Sequence, residues 1–211
     1  MKVLDISPRV SPRTAVWPGD VPFSRSVALS IEHGDNLELS SITTTVHVGA
    51  HTDAPSHYVG GGQAIHERPL ELYVGACQVV DVDVKRGERI RPEHVLAPIE
   101  APRVLFRTCT FPDPEVFDED FAALSAELVH WLHERQVRLV GIDTPSVDLC
   151  HDRALEAHKA IASHDMAILE GIVLDGVGPG HYTLVALPLP LEGADASPVR
   201  AVLITGSAPL G

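Results

Sequence analysis

The stretch His47-Val48-Gly49-Ala50-His51-Thr52-Asp53-Ala54-Pro55-Ser56-His57 places three imidazoles and one carboxylate close together in the chain. Residues 37–48, which lead into it, are rich in β-branched side chains and predict a strand. Alternate side chains of a strand share a face, so His47, His51 and Asp53 start on the same side. A straight strand would nevertheless hold His47 and Asp53 roughly 20 Å apart. These side chains can share one bound ion only if the chain bends.

Two residues of this stretch favour such a bend. Gly49 tolerates a bulge or a sharp turn, whereas Pro55 ends a strand and would bring His57 back toward the other side chains. Imidazoles and a carboxylate that meet at one point are typical ligands of zinc or a similar divalent cation. The alternative is a hydrophilic strand end with solvated histidines, and the combined spacing favours the metal site.

The composition predicts one soluble domain spanning residues 1–211. The chain is 45% hydrophobic but only 5% aromatic, which indicates an aliphatic core. A formal net charge of -13 argues against nucleic acid or an anionic membrane as a partner. The widely spaced Cys77, Cys109 and Cys150 are typical of reduced thiols. Because we also find no signal peptide and no stretch of ~18 apolar residues, we expect a cytoplasmic protein.

Two further candidate residues lie in the second half of the chain. Residues 151–163 predict a helix on which His158 shares a face with apolar side chains. Taken alone, such a histidine is more often a buried core residue than a metal ligand. Glu170 follows the short apolar strand predicted at 166–169, and a carboxylate in that position is often simply the first exposed residue.

The remaining pattern predicts an α+β fold in which strands outnumber helices around a barrel-like mixed β-sheet. A helix is expected over residues 119–135, with Asp118 as its N-cap and with His130 and His133 unpartnered on its surface. Residues 183–204 predict two apolar strands that either close a barrel or complete a sheet.

Two single residues are each open to two interpretations. Trp17 lies in a loop rich in proline and glycine, where it is either a plug that packs the loop against the sheet or a stacking wall for an aromatic ligand. Asp143 follows the strand predicted at 137–142 and either forms a turn or supports the metal ligands.

The segment from His51 to His57, preceded by His47 and Gly49, resembles the signature of the cyclase-like metal hydrolases. Within them it most resembles the bacterial kynurenine formamidases, or arylformamidases, and the similarity extends along the whole chain. This resemblance implies a swivelling β/β/α architecture with flanking helices, and a homodimer or a larger assembly.

The resemblance also implies roles for single residues. The family places a histidine, and a glutamate twelve residues after it, in a site for two zinc ions, and His158 and Glu170 match that spacing. One zinc is then held by His47, His51 and Asp53. Asp53 also binds the second zinc together with His158, and Glu170 contacts both ions. His57 is left as the acid/base, and Trp17 matches a tryptophan that contacts the substrate.

The implied reaction is the zinc-dependent hydrolysis of N-formyl-L-kynurenine, a small aromatic formamide, to L-kynurenine and formate in tryptophan degradation. The absence of a Gly-x-Ser-x-Gly motif fits a reaction that uses activated water rather than a serine nucleophile. Two alternatives remain open: another hydrolase of this family, such as an isatin hydrolase or a related cyclase, and a zinc-binding protein without catalysis. A free acid/base histidine favours catalysis, because a structural zinc site has every coordination position filled by protein.

Overall fold

The computed structural model describes residues 1–206, which contain thirteen strands and two α-helices. No helix within this range is long and apolar enough to cross a membrane. The strands are β1 Lys2–Asp5, β2 Ser24–Leu29, β3 Leu39–Thr43, β4 His51–Asp53, β5 Val74–Asp81, β6 Arg89–Ile90, β7 Arg103–Arg107, β8 Ala123–Leu124, β9 Leu139–Ile142, β10 Ala167–Leu169, β11 Gly180–Val185, β12 Ala196–Pro198 and β13 Val202–Thr205; the helices are α1 Ala126–His133 and α2 Glu156–Ser163.

A mixed sheet of seven strands, in the order β1-β13-β11-β5-β7-β9-β10, forms the centre of the fold. The strands from β5 to β10 in this order pair in parallel, whereas β11, β13 and β1 pair antiparallel. The predicted fold class, with a mixed sheet and flanking helices, is confirmed. Of the two roles open to residues 183–204, β11 and β13 complete the sheet, whereas β12 pairs with β4.

Both faces of this sheet are covered by apolar side chains. In β7, Val104 and Phe106 belong to the cluster that contains the helices, whereas Leu105 belongs to a second cluster on the opposite face. All three are fully buried, and such burial contributes about 1.5–3 kcal/mol for each large apolar side chain. The second cluster includes Ile6 and Ala50, so the sheet supports the segment that carries His47 and His51.

The first helix is shorter than its apolar spacing indicates. A helix over residues 119–135 with Asp118 as N-cap is wrong, because α1 begins after Ser125, whose Oγ accepts a backbone hydrogen bond. The residues before Ser125 are extended because they form β8, which pairs with β6. Asp118 is paired with Arg86 instead.

The histidines of this helix are exposed, as predicted, but they do have partners. The Nδ1 of His130 lies 2.7 Å from the Nε2 of His164. The ring of His133 stacks on His164, with 3.9 Å between the ring centroids. The prediction that His130 and His133 have no partner is therefore wrong.

The second helix also begins later than predicted. It spans Glu156–Ser163 rather than 151–163, because Leu155 has a left-handed backbone with φ of 51° and breaks the regular path. The carboxylate of Asp148 caps the helix by accepting hydrogen bonds from the backbone amides of Ala157 and His158, both at 3.1 Å. His158 lies on the buried face, as its spacing predicted.

Of the strand predicted over residues 37–48, only Leu39–Thr43 form a strand, β3, which pairs with β2. His51–Asp53, beyond the predicted range, form the separate strand β4 beside the end of β10. Gly49 has φ of 60°, so the chain bends there. Gly171 permits the close approach of the two segments, because a Cβ on it would lie 2.2 Å from the carbonyl oxygen of Gly49.

Candidate metal centre

The structure brings together all five side chains that the sequence nominates as metal ligands. His47 precedes β4, and His51 and Asp53 lie on it. His158 extends from the buried face of α2, and Glu170 directly follows β10. His51, Asp53, His158 and Glu170 are buried, with exposed fractions of 3%, 2%, 3% and 3%.

Asp53 is the central residue of this cluster. Its Oδ1 lies 3.0 Å from His47 Nδ1 and 3.5 Å from His51 Nε2. Its Oδ2 lies 3.4 Å from His158 Nε2. Glu170 spans the same two sides, with Oε2 at 3.1 Å from His51 Nε2 and Oε1 at 3.7 Å from His158 Nε2.

The donor atoms form two groups of three that share Asp53. One group is His47, His51 and Asp53, and the other is Asp53, His158 and Glu170; within each group the atoms lie within 4.8 Å of one another. The Oδ1 of Asp53 is buried without a hydrogen-bond partner in the described residues, although His47 Nδ1 is close. A buried carboxylate oxygen is costly unless it is paired. The arrangement therefore fits one or two divalent cations with nitrogen and oxygen ligands.

Hydrogen bonds from the ring nitrogens that face away from the cluster orient three of the imidazole rings. His51 Nδ1 donates to the carbonyl oxygen of Gly49 at 2.9 Å, and His158 Nδ1 donates to Asp148 at 2.8 Å. His47 Nε2 donates to Asp195 at 3.1 Å. With a cation bound, these acceptors would fix the tautomers, because each takes the N–H of one ring nitrogen and leaves the other nitrogen to bind the cation.

In the absence of metal, the positive histidines and the negative carboxylates of the cluster stabilise each other's charged forms. Burial opposes the charged form of His47, but Asp53 and the neighbouring carboxylates outweigh it and raise its pKa to about 9. For His158, burial is likewise outweighed, mainly by Asp148 and Asp53, and the pKa rises to about 10. Burial alone would raise the pKa of Asp53, but its histidine neighbours hold it well below the ordinary value. Protons on the histidines thus take the place that a cation would fill.

His57, the proposed acid/base, lies at the edge of the cluster. It ends the short 3₁₀ turn Pro55–His57, which begins at the predicted proline. Its ring centroid is 4.4 Å from that of His47 and 6.2 Å from that of His158. Its side chain is 38% exposed, and its Nδ1 lies 3.0 Å from Asp195. His57 therefore reaches solvent, unlike the buried members of the cluster.

A cavity of about 420 Å³ opens directly beside these side chains. Its lining includes His57, the cluster and an aromatic wall of Trp17, Phe111 and Phe117. Trp17 packs edge-on against Phe117, with 5.3 Å between the ring centroids, and remains 37% exposed. Trp17 thus packs against Phe117, which lies in the segment between β7 and β8, and also borders the cavity, so the structure leaves both interpretations of it open.

Asp143 has a role that neither interpretation anticipated. Its carboxylate accepts hydrogen bonds from the backbone amides of Thr108 and Cys109 and from the hydroxyl of Thr108, at 2.6–3.0 Å. It thereby fixes the loop after β7, which leads toward Phe111. Burial is the main cause that raises the pKa of Asp143.

Two carboxylates near the cluster were missed in the sequence. Asp148 binds His158 and is paired with Arg89 at 2.8 Å, whereas Asp195 binds His47 and His57. Neither has a spacing to the histidines that a sequence motif would reveal. Asp195 could be found only from the pairing of β12 with β4, which sets it opposite Ala54.

Comparisons with known proteins support a shared fold and family. The sequence model of the family described as "Putative cyclase" matches residues 4–149, which is more than half of the chain. A solved structure described as a "Potential Metal-Dependent Hydrolase With Cyclase Activity" is 30% identical, with a TM-score of 0.84, and the match covers 98% of this chain and 99% of that one. A "predicted metal-dependent hydrolase from Bacillus stearothermophilus" is 31% identical, with a TM-score of 0.80 and coverage of 96% and 97%.

A more distant structure shares the fold alone. Isatin hydrolase A from Labrenzia aggregata, bound to benzyl benzoate, is 23% identical to this chain. Its TM-score is 0.79, and the match covers 97% of this chain and 94% of that one.

Proposed function

This chain belongs to the cyclase family, and from that premise we propose that it is a metal-dependent hydrolase that converts N-formyl-L-kynurenine to L-kynurenine and formate. The observation that carries the proposal is the cluster centred on Asp53, which lies beside an aromatic cavity and an exposed histidine. A purely structural zinc site is closed by protein ligands. The open cavity next to this cluster therefore favours catalysis over a zinc-binding protein without activity.

We assign the two groups of donors to two zinc ions per subunit, with Asp53 shared between them. His47 and His51 complete the first group, and His158 and Glu170 complete the second. When bound, the ions would supply an activated water and polarise the carbonyl of the substrate. Manganese or cobalt binds to the same types of ligand, so metal analysis must establish that the bound ions are zinc.

His57 would carry the proton that the reaction moves. Its Nδ1 is engaged by Asp195, so its Nε2 is the nitrogen available for proton transfer. In the proposed step, Nε2 accepts a proton from the attacking water and returns it to the amide nitrogen as the C–N bond breaks. The products are then the free aromatic amine and formate, and no serine or cysteine nucleophile is needed.

Trp17 would hold the aromatic ring of the substrate. Its edge-on contact with Phe117 fixes its plane at the border of the cavity. Aromatic rings stack favourably in offset or edge-to-face geometry, with about 0.5–1.5 kcal/mol beyond the burial of their area. A cavity of about 420 Å³ is large enough for one substituted benzene ring.

A second candidate substrate is isatin, a neutral cyclic amide. No lysine or arginine is among the described residues that line the cavity, so none there would pair with the α-carboxylate of N-formylkynurenine. A neutral ring would need no such partner. The shared fold of isatin hydrolase A agrees with this alternative without deciding it.

We also propose that the protein is a cytoplasmic homodimer. Cys77, Cys109 and Cys150 are all free thiols, in keeping with a reducing compartment. The hairpin of β2 and β3 pairs with no other strand among residues 1–206, and nearly all of its residues are exposed. An isolated two-stranded hairpin is marginal in water, so a second subunit packed on this hairpin would stabilise it.

Hydrolysis of N-formylkynurenine, isatin and formanilide should be measured for the wild type and for Trp17→Ala, before and after treatment with a chelator. We expect rapid, chelator-sensitive turnover of N-formylkynurenine and a clear rise of its KM in Trp17→Ala. The matched control is Trp131→Ala, on α1 and outside the cavity lining. Preferential hydrolysis of isatin would support the second candidate, and chelator-insensitive turnover would contradict metal dependence.

A further inference from the structure

Asp195 occupies a position in which one carboxylate oxygen serves two histidines. Its Oδ2 lies 3.1 Å from His47 Nε2 and 3.0 Å from His57 Nδ1. A carboxylate only accepts hydrogen bonds when it is ionised, so both of these ring nitrogens must carry the proton. His47 is then left with Nδ1 facing Asp53, and His57 is left with Nε2 free.

We propose that Asp195 is a positioning residue that fixes the orientation and tautomer of His57 and, through the same oxygen, those of His47. The inference rests on the role proposed for His57. It links the metal cluster to the acid/base, because the two rings lie side by side with 4.4 Å between centroids and share this acceptor. A substitution of Asp195 would therefore disturb the orientation of both imidazoles without removing a metal ligand.

The backbone holds Asp195 in place independently of its side chain. The carbonyl oxygen of Asp195 accepts a hydrogen bond from the Ala54 amide at 2.8 Å, and Ala194 accepts one from Ile65 at 2.9 Å. The strand β12 follows immediately and pairs with β4 in the register Ala196 to Asp53. When the carboxylate is removed, the loop that carries Asp195 should therefore stay in its position beside the cluster.

His47, His57 and Asp195 also lie close enough together to form a metal site. Their exposure favours hydrogen bonds instead. The side chains of His57 and Asp195 are 38% and 45% exposed, unlike the buried cluster around Asp53.

The test compares Asp195→Ala and Asp195→Asn with Glu192→Ala, which removes an exposed carboxylate from the same loop. In zinc-loaded protein, ¹⁵N NMR of the imidazoles should show His57 protonated at Nδ1 in the wild type and in Glu192→Ala. In Asp195→Ala this tautomer should lose its predominance. Asp195→Asn keeps an oxygen acceptor and should restore it in part.

The turnover of the variants gives a second readout. We expect kcat of Asp195→Ala to fall about 10- to 100-fold, the range typical of residues that orient ligands, with little change in KM. The zinc affinity of Asp195→Ala should also fall, because the variant removes the hydrogen bond that orients His47. The NMR readout needs no substrate, so it decides the role of Asp195 even if N-formylkynurenine proves not to be hydrolysed.

Two results would overturn the proposal. One is a His57 tautomer that is the same in Asp195→Ala as in the wild type. The other is three zinc ions per subunit in the wild type and two in Asp195→Ala, because His47, His57 and Asp195 would then be a metal site of their own.

Discussion

His51 and Glu170 are joined both by their backbones and by their side chains. They exchange two backbone hydrogen bonds, of 3.1 Å and 2.9 Å, and His51 Nε2 lies 3.1 Å from Glu170 Oε2. This isolated bridge holds the end of β10 against β4. It brings a candidate ligand from the first third of the chain and one from its last third into a single cluster.

The first prediction concerns His57. Substitution by alanine should leave the metal content unchanged, because the ring is outside both groups that share Asp53. It should lower kcat by about 10²- to 10⁴-fold, the usual contribution of a general acid/base. Steady-state kinetics on the preferred substrate, together with metal analysis, measure both quantities.

The matched control is His33→Ala, which removes an exposed histidine from the hairpin connection. It should behave as the wild type does. Wild-type turnover in His57→Ala would show that another group transfers the proton.

The second prediction concerns Asp148. Asp148→Asn should weaken metal binding about 10- to 100-fold, because it removes the carboxylate that orients His158. Asp152→Asn is the control, since Asp152 also pairs with Arg89, at 2.6 Å, but is hydrogen-bonded to no histidine within residues 1–206. Competition titrations with a metal-binding dye measure the affinities. Equal affinities for the two variants would mean that Asp148 acts only through Arg89.

The third prediction concerns protons. His47 and His158 have folded pKa values of about 9 and about 10 without metal, above the ordinary value of 6.5. Near neutral pH both are therefore charged, and a cation must displace their protons. Zinc binding should release protons, and the apparent zinc affinity should rise with pH. Calorimetry in buffers of different ionisation enthalpy measures the release, and buffer-independent heats would contradict the shifted values.

The same shifts set how the stability of the metal-free protein depends on pH. A histidine whose pKa is raised on folding adds stability that is fully present below the unfolded value. For His47 and His158 this stabilisation is lost as the pH rises above 6.5 toward about 9 and about 10. Urea unfolding of metal-free protein should accordingly show a lower midpoint at alkaline pH, with zinc reversing the loss.

The fourth prediction concerns the hairpin. Leu39 and Ile42 are 52% and 63% exposed, so glutamate at both positions should convert a dimer to a monomer. Ser41→Glu adds a charge to the same strand and is the control. Light scattering after size-exclusion chromatography measures the mass. A monomeric wild type, or a double variant that stays dimeric, would contradict the proposed interface.

The sequence was most informative where one short segment carried several chemical signals. The spacing from His47 to Asp53 and the bending residue Gly49 predicted the convergence that the structure contains. For His158 and Glu170, the residue pattern alone favoured ordinary core and surface roles. Only the resemblance to the family nominated them, because Glu170 reaches the cluster through the tertiary contact between β4 and β10, and His158 reaches it from the buried face of α2.

The errors lie where tertiary pairing overrides local spacing. Phe121 and Leu124 recur at helical spacing, but Leu124 lies in β8, because its strand pairs with β6. Asp148 and Asp195 were missed for a related reason. Each contacts histidines that are distant in the sequence or stand at no recognisable spacing from it. Only in the folded chain do the carboxylate oxygens lie 2.8–3.1 Å from the imidazole nitrogens.

The most direct test of the shared cluster is the metal content of Asp53→Asn after dialysis, measured by mass spectrometry beside the wild type and Glu192→Ala. We predict two divalent ions per subunit in the wild type and in the control, and almost none in Asp53→Asn, because both donor groups include Asp53. A folded Asp53→Asn protein that keeps both ions would contradict the site.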